Sequence, residues 1–379
     1  MIVKLSDVVD KISGNEDRFS TELEFYLGGE HYESERIAIY KKGIIKEDIN
    51  ILGFKFHFPF KAGDTIFMSR NPHLKKAGLV TYDGICSDTS YILRTKNQGV
   101  LLGRFLPLVL QNDRFWRWFE ENKSGSVNFL LNWKTLKEYE FDLPHIEEQE
   151  RIANLAWAIE ETRVAYERML QASEELAKSQ FIELFGDPVK NPKNWKIHKL
   201  SEIADYFIGL TYKPQDIATK GTIVLRSGNI QSSKLSFEDE LRVTCHIPDK
   251  LLIKPNDILM CSRNGSAALV GKVALIPEMD EKVTFGAFMT IIRSRYFSYL
   301  YIFFQLFAFR KQIASSKTAT INQITKAMLD KVSVPIPPDS LLNQFTGFIQ
   351  QLDKSKFELE QALLELTLTY KRILAENLG

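Results

Sequence analysis

Four groups of residues in this 379-residue sequence have types that do chemistry in other chains. Pro248-Asp249 followed by Asp280-Glu281-Lys282 fits the loose metal-nuclease pattern of an acid and then an acid-x-Lys, but so short a pattern arises by chance in most chains of this length. Asn71-Pro72-His73-Leu74 begins like the Asn-Pro-Pro-aromatic loop of adenine methyltransferases. It lacks the second proline and the aromatic that would hold a base, and no glycine-rich methyl-donor loop precedes it. The six histidines (His31, His57, His73, His145, His198 and His246) are scattered, none with a partner at catalytic spacing. Cys86, Cys245 and Cys261 stand in neither a metal spacing nor a disulfide framework. No G-x-x-x-x-G-K-[ST], G-x-S-x-G or H-E-x-x-H motif occurs, which excludes Walker-type ATPases, nucleophile-elbow hydrolases and zincin peptidases.

The elements that would carry any site are duplicated. Lys4-Leu5-Ser6-Asp7-Val8 returns as Lys199-Leu200-Ser201-Glu202-Ile203. Lys61, Asp64 and Ser69-Arg70-Asn71 return as Lys254, Asp257 and Ser262-Arg263-Asn264, and Pro144 returns as Pro337, all at an offset of 193. A long stretch with seven-residue spacing and no proline closes each half: Ile152, Ile159, Tyr166, Ser173, Gln180 in the first, and Phe345, Leu352, Leu359, Leu366, Ile373 in the second. Two heptad helices in one register, each closing one half, predict a tandem duplication. The expected segments are 1–145, a globular domain; 146–186, a central helix; 187–338, a second domain; and 339–379, a C-terminal helix.

Local chemistry sets the ends of those helices. Glu147, Glu148 and Glu150 crowd the first turn, where the helix dipole favours acids. Gly186-Asp187-Pro188 ends the first helix, because glycine allows a left-handed cap and proline cannot continue the ladder. Asp339 or Ser340 can cap the second. About 39 residues at 1.5 Å each make a rod of about 60 Å. Both domains read as mixed α/β. Strands are expected at Thr222–Leu225, Asp257–Cys261, Lys272–Ile276 and Phe288–Ile292. Helices are expected at Phe105–Glu121 and Phe297–Ser315, with Trp116, Phe119, Phe304 and Phe307 facing a core.

A formal net charge of +1 conceals a segregated distribution. Residues 1–145 carry 20 Lys and Arg against 20 acids, and 146–186 carry 4 against 9. Residues 187–338 carry 21 against 13, and 339–379 carry 4 against 6. The second domain is basic and both helices are acidic. The N-terminus has no apolar signal core, and the aromatic stretch Tyr296 to Phe309 is too short for a membrane span, so the expected location is cytoplasmic with no membrane partner.

Phe185-Gly186-Asp187-Pro188, Asn191-Pro192, Trp195 and Leu200 form a junction that resembles the one in specificity (S) subunits of Type I restriction–modification systems. Asp64 with Ser69-Arg70, Arg226-Ser227-Gly228-Asn229-Ile230, Asp257 with Ser262-Arg263, and the helix starts Pro144/Glu148-Gln149 and Pro337-Pro338/Asn343-Gln344 resemble that family too. The resemblance covers essentially the whole chain. It implies a non-catalytic subunit in which each of two target recognition domains reads one half of a bipartite double-stranded DNA sequence. The two helices would pair as an antiparallel coiled coil under a pseudo-twofold and set the spacing, with Ile152, Ile159, Tyr166, Phe345, Leu352, Leu359, Leu366 and Ile373 at the seam. Two modification (methyltransferase) subunits carrying S-adenosylmethionine and restriction (motor and nuclease) subunits using ATP would assemble on it, with no cofactor on this chain. Residues 16–55 have no evident counterpart in the second half, which fits domains that read different half-sites.

Under that resemblance, DNA contacts are expected from polar side chains on loops after strands. The candidates are Arg70, Asn71, Lys75 and Lys76 in the first domain, and Arg226, Asn229, Arg263, Asn264, Lys317 and Thr320 in the second. Arg pairs bidentately with guanine and Asn with adenine, whereas Lys suits phosphate. Arg70 and Arg263, which recur in both halves, could equally mark a salt bridge of the fold or a shared phosphate contact. The competing readings are a protein-binding adaptor on a coiled coil and a metal-dependent nuclease using Asp249, Asp280 and Lys282.

Overall fold

A computed structural model describes residues 1–71, 74–122, 130–315 and 322–378. The repeated Lys-Leu-Ser motif starts each half in the same way. Ile2–Lys4 pairs antiparallel with Glu140–Asp142, and Lys196–Lys199 with Ser333–Ile336. Leu5 and Leu200 then open a one-turn helix and are fully buried, each donating its N–H to a distant carbonyl, Tyr139 at 2.8 Å and Val332 at 2.9 Å. The opening strand of each half is thus tied to the strand that precedes its long helix.

A tight turn leads into the central strand of each half. Asp64 accepts the Lys61 N–H on Oδ2, and Asp257 accepts that of Lys254, both at 2.8 Å. Gly63 (φ +92°) and Asn256 (φ +69°) occupy the left-handed position just before the aspartate, which those two residue types tolerate. The strands that follow, Thr65–Met68 and Ile258–Cys261, are almost wholly buried. In the first half the sheet runs Val9–Ile12, Ser90–Thr95, Thr65–Met68, Ala77–Val80, Ala38–Ile39. In the second it runs Asp205–Ile208, Met289–Arg293, Ile258–Cys261, Val273–Leu275.

A second, mixed sheet also recurs. Phe25–Leu27 lies parallel to Gly84–Ser87 and antiparallel to Gly43–Ile44. Thr222–Leu225 lies parallel to Val283–Phe285 and antiparallel to Arg242–Val243. Residues 25–44 therefore do have a counterpart, at 222–243, although none was legible in the sequence. The strands are two to four residues long and share topology without sharing residues.

Two expected helices are each broken in two. Leu106–Gln111 and Asp113–Asn122 are separated at Asn112, whose backbone is extended (φ −74°, ψ 143°) and whose Oδ1 accepts the Arg114 N–H at 2.7 Å. Phe297–Gln305 and Phe307–Ser315 are separated at Leu306 (φ −79°, ψ 155°). Trp116, Phe119 and Phe304 are buried as expected, but Phe307 is 75% exposed. The break at Leu306 resets the helical phase and turns Phe307 outward.

The long helices run Ile146–Phe185 and Asp339–Leu378, 40 residues each. Gly186 (φ +80°) ends the first, and a Cβ there would lie 2.6 Å from Pro192 Cγ. Trp195 Nε1 donates to the Phe185 carbonyl at 2.9 Å and Lys193 Nζ to that of Leu184 at 2.9 Å, so the junction satisfies carbonyls that the helix end leaves open. The second long helix begins at Asp339 itself, and the Pro338 carbonyl accepts its first N–H bonds.

Compact units divide the chain within these helices, not at their ends: Met1–Met169 with Leu359–Gly379, and Leu170–Glu358. In the first unit Ile152 and Ile159 are buried in one cluster with Tyr370 and Ile373, with Leu366 packed against it. Arg151 Nη2 there donates to Asn377 Oδ1 at 2.9 Å. In the second unit Ala177, Phe181 and Phe185 share a cluster with Leu342, Phe345 and Ile349, with Leu352 against it. Tyr166 and Leu359 are half-buried. Among the described residues no helix is long and apolar enough to cross a membrane.

Candidate nucleic-acid interface

The loop after each central strand is held by the serine of the Ser-Arg-Asn repeat. Ser69 is buried; its N–H and its hydroxyl both bond the Thr89 carbonyl, and its own carbonyl accepts the Leu131 N–H at 3.0 Å. Ser262 donates its N–H to the Phe288 carbonyl at 2.9 Å and accepts the Ile324 N–H at 2.8 Å. Arg70 and Arg263 follow in equivalent bridges, to Leu130 and Gln323. Both are exposed, and neither has a carboxylate partner among the described residues. The salt bridges of the fold are made by other arginines, Arg94 to Asp64 and Arg293 to Asp257.

The remaining candidates divide by their partners. Asn71 is exposed in the left-handed region (φ +53°), and its carbonyl accepts the Leu74 N–H at 3.0 Å. Lys75 Nζ is held by Glu35 at 2.9 Å and Asp113 at 3.4 Å. Burial disfavours its cation, yet these two carboxylates bring its pKa above the ordinary lysine value. Its charge is matched inside the unit by these two carboxylates, unlike that of Arg70. Lys76 Nζ donates to the Gly29 carbonyl at 2.8 Å.

In the second domain the structure brings two loops together that the sequence keeps apart. Asn264 Nδ2 donates to Ser227 Oγ at 3.0 Å and its Oδ1 accepts the Ser266 N–H at 2.9 Å, so the Arg263-Asn264 loop leans on the Arg226–Asn229 turn. Arg226 Nη2 pairs with Asp239 at 2.6 Å. Asn229 is 1% exposed; it accepts the Arg226 N–H at 2.8 Å and donates to the Ser236 and Asp239 carbonyls. It is the staple of the turn, and a side chain so enclosed offers no edge to adenine. This corrects its reading as a base contact. Lys317 and Thr320 lie outside the described residues.

Sequence reasoning passed over the cleft beside Arg263. It measures about 590 Å³ and is lined by Ile208, Lys250, Arg263, Phe288, Gln323 and Lys326 among others. The Arg263 guanidinium lies 5.3 Å from the Phe288 ring centroid, a cation–π distance. Phe288 was legible only as the start of a strand; nothing in its neighbours marks it as exposed. The acids of the nuclease reading form no centre, since no group of three or more His, Cys, Asp or Glu that could hold a metal forms among the described residues. Glu281, between Asp280 and Lys282, pairs with Arg242 at 2.9 Å.

Duplicated α/β domains, each with an exposed arginine on a braced loop and each followed by a long helix, define a protein built from two copies of one domain–helix module. The model of the Type I restriction modification DNA specificity domain matches residues 1–162 and again residues 192–367, and the chain belongs to that family. It is 28% identical over 185 residues to the EcoKI specificity subunit of Escherichia coli K12, an alignment covering 45% of this chain and 40% of that protein. It is 21% identical over 397 residues to the MjaIX specificity subunit of Methanocaldococcus jannaschii, covering 93% and 86%. The fold is shared with the S subunit of a Type I system from M. genitalium (TM-score 0.56, 14% identity, 100% of this chain and 96% of that one). It is also shared with a chain from a structure of "complex assembly and conformational transition of the type I R-M system" (TM-score 0.54, 20% identity, 100% and 97%).

Proposed function

We propose that the chain is the DNA-specificity subunit of a Type I restriction–modification complex, itself non-catalytic and cytoplasmic. Each recognition domain reads one half of a bipartite duplex target. Two modification subunits bring S-adenosylmethionine, and restriction subunits bring the ATP-driven motor and the nuclease. The observation that carries this reading is the pair Arg70 and Arg263, exposed at the same place on the same braced loop in two domains that both match the specificity-domain model. A cation free of carboxylate partners is suited to phosphate or to a guanine edge.

The helices act as the spacer, paired as an antiparallel coiled coil. Supporting this, Arg151 in the second turn of the first helix bonds Asn377 near the end of the second, while Phe181 and Phe185 near the end of the first lie against Phe345 near the start of the second. Their acidic composition suits a protein partner better than phosphate. Co-expression with a neighbouring adenine methyltransferase should give a stable complex that modifies one bipartite sequence. Failure to modify any site would sink the reading. A free adaptor would show no salt-dependent DNA affinity, and a nuclease would cut DNA alone with a divalent metal.

A further inference from the structure

The cleft beside Arg263 has a charge pattern that the fold does not require. Lys250, Arg263 and Lys326 line it, no Asp or Glu does, and none of the three has a carboxylate partner among the described residues. Such a wall favours an anion. The same cleft exposes apolar surface: Phe288, just before the buried strand Met289–Arg293, is 57% exposed, and Ile208, the last residue of the partly exposed strand Asp205–Ile208, is 60% exposed. Phosphate alone has no use for an aromatic face, and an apolar partner has no use for three unpaired cations. A nucleotide satisfies both, its ring against Phe288 and its phosphate among the cations.

Within a stacked duplex both faces of a base are covered, so only base edges, sugars and phosphates reach a protein. A base can lie on Phe288 only after leaving the stack. Resting on the reading of the chain as a DNA-specificity subunit, we propose that this cleft of the second recognition domain seats one nucleotide drawn out of the bound duplex. This nucleotide is separate from the adenine that the modification subunits act on. Gln323, bridged to Arg263 at the rim, is placed to bond the base edge. In the first domain Thr89 stands where Phe288 does, its carbonyl accepting the Ser69 N–H as Phe288's accepts that of Ser262, so no aromatic ring stands at that position. The displacement therefore belongs to one half-site only.

The test uses the chain assembled with its modification subunits, on its bipartite target carrying 2-aminopurine at successive positions of both half-sites. Binding should raise the fluorescence severalfold at the modified adenines and at one further position, in the half-site read by residues 187–338. Phe288→Ala should abolish the further signal and leave the others, and Phe288→Tyr should keep it. Lys250→Ala with Lys326→Ala should weaken binding about tenfold and reduce the slope of log affinity against log salt by about 2. Signals at the modified adenines alone, or a further signal that survives Phe288→Ala, would overturn the proposal and leave Phe288 against a sugar or a base edge. Because Phe288 is exposed, its loss does not threaten the fold, and intact signals in the other half-site verify this. Failure of the unlabelled target to bind at all would instead overturn the reading of the chain as a specificity subunit.

Discussion

Arg94 grips Asp64 with a forked ion pair, Nε to Oδ1 at 2.7 Å and Nη2 to Oδ2 at 2.8 Å. Arg293 grips Asp257 with the same fork, 2.7 Å on both arms. The carboxylates are almost fully buried, and each also receives the backbone N–H that closes its turn. The aspartates of the repeat thus fix the entry to the central strand, and the loop carrying Arg70 or Arg263 leaves from that strand's other end.

Removing the arginine from such a pair leaves a buried carboxylate with only its backbone donor. Arg293→Met should destabilise the second unit by about 2 kcal/mol, below the range for a wholly buried pair because water reaches part of the guanidinium. Chemical denaturation of the purified complex measures this. An unchanged midpoint would remove the aspartate turn from the account of how the loop is held.

Arg36 anchors the first domain to its helix, with Nε on Glu160 at 2.8 Å and Nη1 on Glu167 at 2.8 Å. Arg36 is 5% exposed and Glu160 2%. Arg36→Met should cost about 3 kcal/mol, the low end for a broken buried pair because Arg163 remains 3.7 Å from Glu160. Adding Glu160→Met should recover part of the loss. A double variant less stable than Arg36→Met alone would contradict the buried-charge explanation.

Glu35 joins the same unit, accepting from Lys75 at 2.9 Å and Lys371 at 3.0 Å. Burial disfavours its carboxylate, but the two lysines bring its pKa below the ordinary value. A depressed carboxylate stabilises the fold above its unfolded pKa, and that stability is lost as pH falls through the folded value. Wild type should therefore lose more stability on acidification below about pH 4.5 than Glu35→Gln does. Parallel stability–pH curves for the two proteins would contradict the assignment.

Arg70→Ala and Arg263→Ala should each reduce the slope of log DNA affinity against log salt by about 1 if they neutralise phosphate. Lys75→Ala should leave that slope nearly unchanged, because Glu35 and Asp113 already balance its charge. Titrations of the assembled complex at several salt concentrations separate these cases. A Lys75 effect equal to that of Arg70 would show that the lysine leaves its carboxylates on binding.

The sequence made legible what local chemistry decides. Gly186 before Asp187-Pro188 marked the end of the first long helix to the residue, and the heptad spacing located both long helices. The repeat predicted two copies of one domain, and four strands of the sheet around Thr65–Met68 recur in the same order around Ile258–Cys261, with Ala38–Ile39 added at the edge of the first. What depends on distant partners was not legible. Glu35 lies 40 residues from the Lys75 whose charge it matches, and Ser236 and Asp239 reach Asn229 from across a hairpin. The extended backbone at Asn112 and Leu306 interrupts runs whose periodicity reads as continuous. The pairing of 222–243 with 25–44 is a matter of topology, carried by strands too short to leave a pattern.

The central claim is that the two domains read separate halves of one DNA target. Sequencing of modified adenines in a host carrying this chain and its modification subunits tests it most directly, with residues 187–338 then exchanged for those of another specificity subunit. The account predicts a bipartite motif whose first-domain half is unchanged by the exchange and whose other half is replaced. A motif altered in both halves, or unaltered by the exchange, would contradict it.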